Sequence, residues 1–410
     1  MAAAASLPVW LRPARADGPG TIRHLLIVLN FGGWDTTWSI DPKPGLSGVD
    51  VAAGSVRMFG DTPIWSDPSR PNVDRFFERW GDVTAVVNGV QVRSFVHNDC
   101  IKRVMSGGAS DTAPDMAAIA AFELARDLPV PYLALGNQAR SGPLAAITGR
   151  AGTTNQLLAL VDPEAAYAAP GGGIYAPDPG LITSGEEHSL VGAFLTASAE
   201  RLRATRGQRG YNAKRVDDFV QSLARADRLA EFVRDGASLG ERAYTLDLEV
   251  QIPLAMRALG EGLSHTALLQ SSYNWDTHAD NRPQGSYHDG LFGSLDRLCD
   301  ELTTAALMDE TLVVVMSEMG RTPRLNDNMG KDHWPVTSCM FIGAGVRGGR
   351  AVGGTNDELG AQSMDLQTGA VDAAGKQLQT SNLVAGILEA VGVDPEAYVP
   401  GVEAFRAFRA

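Results

Sequence analysis

A chain of 410 residues, 44% hydrophobic and 20% charged, can bury a large core, which excludes a disordered polypeptide and reads as one large α/β domain or two closely joined ones. Its formal charge of −13, with no basic run, argues against nucleic acid or an anionic membrane as the main partner, because phosphate surfaces reward clustered Lys and Arg. No apolar run reaches the length of a membrane span.

The opening stretch "MAAAASLPVWLRPARADGPGT" reads as the end of an export signal. Ala14-Arg15-Ala16 fits the small-x-small cleavage pattern, with Asp17 as the first mature residue; a disordered Ala-rich arm is the alternative. Residues 1–16 are therefore expected to be a leader remnant and 17–410 the folded unit, in the periplasm or outside the cell. Cys100, Cys299 and Cys339 have no metal-type spacing and allow at most one disulfide.

Five buried-strand runs follow in chain order. They are "RHLLIVLN" (Arg23–Asn30), "DVTAVVNGV" (Asp82–Val90), "VPYLALG", "HTALLQ" and "ETLVVVMSEMGRTPR" (Glu310–Arg324). Helical periodicity lies between them, as in Ser286–Leu307. Near-continuous Val, Leu and Ile strands alternating with helices predict a mostly parallel sheet covered on both faces, a three-layer α/β/α sandwich with the Arg23–Asn30 strand near its centre. From about Ser189 to Leu263 the rhythm breaks into amphipathic helical runs with no convincing strand, which predicts a helical insertion at the rim of the sheet's carboxyl edge. Ala168–Gly180 and Gly343–Gly354 read as loops.

Ligands in open α/β sheets bind outside the carboxyl ends of the strands. Asp35 follows the first strand, His97 the second, Asp276 and His278 the fourth and Glu318 the fifth, with Asp332 and His333 soon after in "GKDHWP". In extended backbone, residues i and i+2 share a face, so Asp276 and His278 can converge on one point. The strand before Glu318 is expected beside theirs. Each residue also has a plainer reading: Asp35 as a helix N-cap, His97 as a core histidine, Glu318 in an ion pair with Arg321 or Arg324. Grouped at one edge, the carboxylates and imidazoles suit a divalent ion such as Zn, Mn, Mg or Ca.

"LNFGGWDTTWSIDPKPG", "GWDTHADN", "DETLVVVMSEMGRTPR", "GKDHWP", "GGTNDELG" and "LVAGILEAVGVDP" together resemble the signature of the domain of unknown function 1501 family. These are exported proteins, often with twin-arginine leaders, similar to the sulfatase and alkaline phosphatase superfamily. The resemblance implies an alkaline-phosphatase-like fold with one or two metals at the carboxyl edge: Asp276, His278 and His333 around one, with Asp35, His97 and Glu318 sharing a second. It also places His97 where sulfatases carry the nucleophile, without a hydroxyl or formylglycine precursor, so a metal-activated water is expected to attack unless His97 itself does. Arg321 or Lys331 would neutralise the anion.

Two functions follow. One is an exported metal-dependent hydrolase of phosphate or sulfate esters or diesters, acting on an anionic small molecule or glycan ester. The other is a non-catalytic envelope or surface protein whose degenerate site binds a cation, a glycan or a protein partner.

Overall fold

The computed structural model describes residues 21–150, 185–205 and 247–410, with scattered positions between 207 and 229. Residues 1–20, the Ala168–Gly180 loop and most of the segment between 206 and 246 lie outside the described residues. The leader and most of the middle of the expected insertion therefore fall outside them too. No helix among the described residues is long and apolar enough to cross a membrane.

Eight strands form one sheet: β1 (His24–Leu29), β2 (Thr84–Gln91), β3 (Tyr132–Ala134), β4 (Thr148–Arg150), β5 (Thr266–Gln270), β6 (Thr311–Met316), β7 (Val336–Gly343) and β8 (Arg350–Gly353). Their spatial order is β8-β2-β7-β6-β1-β5-β3-β4. Only β7 runs antiparallel to its neighbours β2 and β6; the other pairings are parallel.

Every apolar residue of β1 is buried, and alternation sends them to opposite cores. Leu26 and Val28 join a cluster with helices α1 (Pro71–Trp80), α5 (Leu248–Gly260) and α6 (Pro283–Thr304). Leu25, Ile27 and Leu29 join a second with α2 (His97–Ser106), α3 (Met116–Ala125) and α7 (Thr380–Ala390). A further helix among the described residues, α4, spans Gly185–Thr205. A strand apolar on both faces must be covered twice, and this one is. The result is the expected α/β/α sandwich, with β1 inside the sheet.

Three features differ from the sequence reading. The strand read as Glu310–Arg324 ends at Met316, and the chain beyond it turns into loop and a two-residue ladder. Secondly, β7 had no counterpart in that reading: Thr337, Ser338 and Cys339 interrupt its apolar run, and its pairing with β2 shifts register between Thr337 and Ser338. The third concerns the helical segment, whose end at α5 belongs to the main layer. Leu248, Ile252, Leu254 and Leu259 are buried in the first cluster, and Gln251 clamps the end of β5 through Nε2 to the Gln270 carbonyl (2.7 Å) and Oε1 from the Gln270 amide (2.9 Å).

Central burial makes a stability prediction. Ile27→Ala, at a site with no exposure, should cost about 2–5 kcal/mol of unfolding free energy. Val56→Ala, at a residue 40% exposed, should stay within about 0.5 kcal/mol. Urea midpoints of the two variants check the contrast.

Candidate metal centre

The carboxyl ends of β1, β2, β5 and β6 lead into four loops, and these carry the site. Two glycines let the loops meet. Gly32, at φ +124°, lies so close to Trp275 and Asp276 that a Cβ there would stand 2.8 Å from the Asp276 amide nitrogen. At Gly330 a Cβ would overlap the His278 carbonyl. The third constraint is a short ladder between Gly320–Arg321 and His333–Trp334, which sets His333 opposite Arg321.

Four of the residues singled out in the sequence converge on one oxygen. Asp276 Oδ1 lies 3.1 Å from His278 Nε2, 3.2 Å from His333 Nε2 and 3.5 Å from His97 Nε2, and the Nε2 atoms of His278 and His333 are 2.9 Å apart. The donor atoms of His97, Asp276 and His333 all lie within 4.8 Å of one another. Asp276 and His278 thus converge as their spacing suggests, although in irregular backbone beyond Gln270, where β5 ends.

Each imidazole is held at its other nitrogen. His97 Nδ1 is 2.6 Å from Glu318 Oε1, His278 Nδ1 is 2.7 Å from Asp332 Oδ1, and His333 Nδ1 is 2.6 Å from the Phe95 carbonyl. A carbonyl can only accept, so His333 Nδ1 carries a hydrogen, and carboxylates impose the same tautomer on the other two. When neutral, all three rings turn Nε2 lone pairs toward Asp276. Lone pairs gathered on a carboxylate oxygen repel unless a cation sits among them. His97 Nε2 is buried and has no hydrogen-bond partner among the described residues.

The same spacing suits an ion. Donors bonded to one metal at about 2.0–2.2 Å stand roughly 3.3–3.6 Å apart in a tetrahedron; the 3.5 Å separation falls in that range and those of 2.9, 3.1 and 3.2 Å lie just below it. Nδ1–H groups on carboxylate or carbonyl acceptors are the support that metal-bound histidines need. The carboxylates of Asp276 and Glu318 on either side of the ring push the His97 pKa up to about 9, so surroundings that favour a proton on this ring favour a metal cation as well.

Glu318, fully buried, accepts the Gly32 amide on both oxygens (2.9 and 3.1 Å) and the Ser317 hydroxyl (3.1 Å) besides His97. It orients His97, in place of the ion pair with Arg321 or Arg324. Its strand, β6, is not beside β5, because β1 lies between them. Arg321 pairs with Asp276 instead, at 2.6 Å, and its remaining donors go to the carbonyls of Gly32, Gly33 and Lys331. Burial works against the Asp276 charge, but His97 and Arg321 outweigh it and hold the carboxyl well below its ordinary range.

Asp35 stands apart from this cluster. It caps the short helix Thr36–Trp38, accepts the Thr37 hydroxyl (2.7 Å) and the Asn281 amide (2.9 Å), and pairs with Lys331 Nζ at 2.8 Å. Burial opposes its charge, yet Lys331 and these donors lower its pKa. The two cations expected to face an anion are therefore both committed: Arg321 and Lys331 have side chains of zero exposure, the first gripping loop carbonyls and the second Asp35. Asp332 is the exposed member, taking His278 Nδ1 and Asn326 Nδ2 (3.0 Å) on one oxygen.

Sequence reading passed over several supporting groups. The Phe95 carbonyl leaves no side-chain signal. Asn281, Gln284 and His288 leave little, since helix α6 and the turn before it read as ordinary surface pattern. His288 is fully buried, donates from Nε2 to the Asp35 carbonyl (3.0 Å), accepts from the Ser39 hydroxyl at Nδ1 (3.0 Å), and stacks on Trp34. The three cysteines are buried and unbridged.

A family model described as a protein of unknown function (DUF1501) matches residues 23–407. The chain belongs to that family. No curated protein matches it. Among solved structures, this DUF1501 chain is similar to a protein in the alkaline phosphatase superfamily from Vibrio parahaemolyticus, with 10% identity over 91% of this chain and 67% of that one at a TM-score of 0.38. It is also similar to the phosphonate monoester hydrolase SpPMH from Silicibacter pomeroyi (12% identity, 94% and 76% covered, TM-score 0.42). A third is the lipoteichoic acid synthase LtaP from Listeria monocytogenes (8% identity, 94% and 75% covered, TM-score 0.39).

His288 gives the DUF1501 chain an acid-sensitive support. Burial pushes its pKa down to about 3, whereas the unfolded chain takes up that proton below about 6.5. Folding stability should therefore fall as pH drops from about 6.5 toward 3, by up to about 1.4 kcal/mol per pH unit from this group. Guanidinium midpoints measured across that range should flatten in His288→Gln relative to the parent protein.

Proposed function

We propose that this chain is a metal-dependent hydrolase of phosphate or sulfate esters, exported from the cytoplasm, with its metal held by His97, Asp276, His278 and His333. One observation carries the reading: three imidazoles, each with Nδ1 on an acceptor, turn Nε2 toward a single carboxylate oxygen. Mixed nitrogen and oxygen donors suit Zn or Mn better than Ca, which prefers oxygen alone.

The chain's own groups have distinct tasks. Asp276 supplies the anionic ligand and Arg321 fixes its rotamer. Glu318, Asp332 and the Phe95 carbonyl lock the three rings in the ligating tautomer. When bound, a divalent ion polarises an ester oxygen and brings the pKa of water down to about 7. His97 begins helix α2 without a hydroxyl or thiol, and its Nε2 is turned to the Asp276 oxygen among the other ligands, which favours water over a side-chain nucleophile. The expected substrate is an anionic small molecule or glycan ester.

The commitment of Arg321 and Lys331 favours a second reading, a degenerate site that binds a cation, glycan or envelope partner without turnover. An anion arriving here would meet the metal and the amino end of α2, but neither of those two cations.

Elemental analysis and turnover of p-nitrophenyl phosphate and sulfate separate the two. His278→Ala should lose bound metal and hydrolysis together while the circular dichroism spectrum stays unchanged. Asp332→Asn, which meets the His278 ring at Nδ1 and not at the ligating nitrogen, should weaken metal affinity by about 10–100-fold. A parent protein that binds metal but turns over neither ester supports the binding role; one that binds no metal ends the hydrolase reading. For export, mass spectrometry of native protein should find a mature start near Asp17, or a longer leader ahead of Met1, and an intact cytoplasmic chain from Met1 would overturn it.

A further inference from the structure

The family motifs imply a second metal shared by Asp35, His97 and Glu318, and the side chains do not fit one. Glu318 spends both oxygens on the Gly32 amide and adds His97 and Ser317. His97 has one nitrogen on Glu318 and the other toward Asp276. Asp35 is 1% exposed and faces an ammonium with no exposure at all, Lys331 Nζ, 2.8 Å from Oδ2.

Burying a lysine in this way is costly unless a charge compensates it, because the ammonium is strongly hydrated in water. Beyond the Asp35 contact, Lys331 Nζ meets no hydrogen-bond acceptor among the described residues. The backbone on either side holds it there: the Lys331 amide donates to the Thr277 carbonyl (3.1 Å), and the Lys331 carbonyl accepts Arg321 Nη1 (2.9 Å). Thr37 Oγ1 donates to one oxygen of the carboxylate and Asn281 Nδ2 to the other, and the Thr277 hydroxyl holds Asn281 from behind through its Oδ1. Without the lysine a buried carboxylate would stand with no cation beside it, a charge that a hard divalent ion such as Mg or Mn can answer.

We infer that Lys331 is a built-in cation supplying at Asp35 the charge a second metal would bring, so that the centre is mononuclear. The inference rests on the proposed metal site for its single ion. It removes the two-metal clamp on attacking and leaving oxygens from the reactions open to this chain. Lys331 becomes a positioning residue for the loop that carries Asp332 and His333.

Metal content decides the matter. Chelator-treated protein, re-equilibrated with Zn²⁺ or Mn²⁺, should retain one ion per chain. Lys331→Ala should take up a second ion from Mn²⁺ and melt at temperatures that climb with Mn²⁺ concentration more steeply than the parent's, by mass action. In Asp35→Asn/Lys331→Met, where the charges leave as a pair, uptake should return to one and the added response should vanish. Two ions in the parent protein or in the double variant would overturn the inference while leaving the metal reading intact; no ion in the parent would end that reading. A folded Lys331→Ala that keeps one ion and gains no Mn²⁺ response also overturns it. Should Lys331→Ala not fold, the parent and the double variant decide by the same counts.

Discussion

The site depends on Asp276 Oδ1. A buried guanidinium reaches it at 2.6 Å and three imidazole nitrogens stand 3.1 to 3.5 Å away. With their hydrogens on Nδ1, the neutral rings point Nε2 lone pairs that a carboxylate oxygen cannot satisfy, so these nitrogens are poised for a cation. Arg321 makes this arrangement rigid, because a guanidinium with zero exposure cannot release its carboxylate or its three carbonyls without stranding a charge in the interior.

Rigidity extends outward through backbone contacts. The carbonyls of Gly32 and Gly33 that take Arg321 belong to the turn leaving β1, and the Gly32 amide on Glu318 fixes the same turn from the other side. Below it, Trp34, Trp275 and His288 form a packed aromatic floor, with Trp34 edge-on to Trp275 and stacked on His288. Chemistry that needs ligands held within a few tenths of an ångström requires such support, and here Trp34 and Trp275 belong to the first of the two cores.

Charge is distributed as matched pairs. Lys331 answers Asp35 and Arg321 answers Asp276, while the His97 Nδ1–H donates to Glu318. Each pair is shielded from solvent on at least one partner, where unpaired charge would be expensive. A divalent ion would then arrive at a centre whose protein cations are already spent, leaving its own charge to attract an anionic ligand.

Much of this was legible in the chain itself. Strand β1 announced its burial because a strand covered on both faces admits no polar residue, and Leu25 to Leu29 show none. The carboxyl edge was readable for a related reason: strands that end together deliver their following residues together, so Asp276, His278, Glu318 and His333 fell into one region. Pairings were beyond reach. Asp35 and Lys331 stand in distant parts of the 410-residue chain, and nothing local says that the lysine, and not a metal, will meet that carboxylate. The Phe95 carbonyl is a backbone group with no letter of its own. Strand β7 entered the sheet antiparallel through long-range pairing with β2 and β6 despite its interrupted apolar run. Local pattern determined which residues could line the edge; tertiary packing decided which of them would share an oxygen, since only the folded backbone brings loops hundreds of residues apart within hydrogen-bond distance.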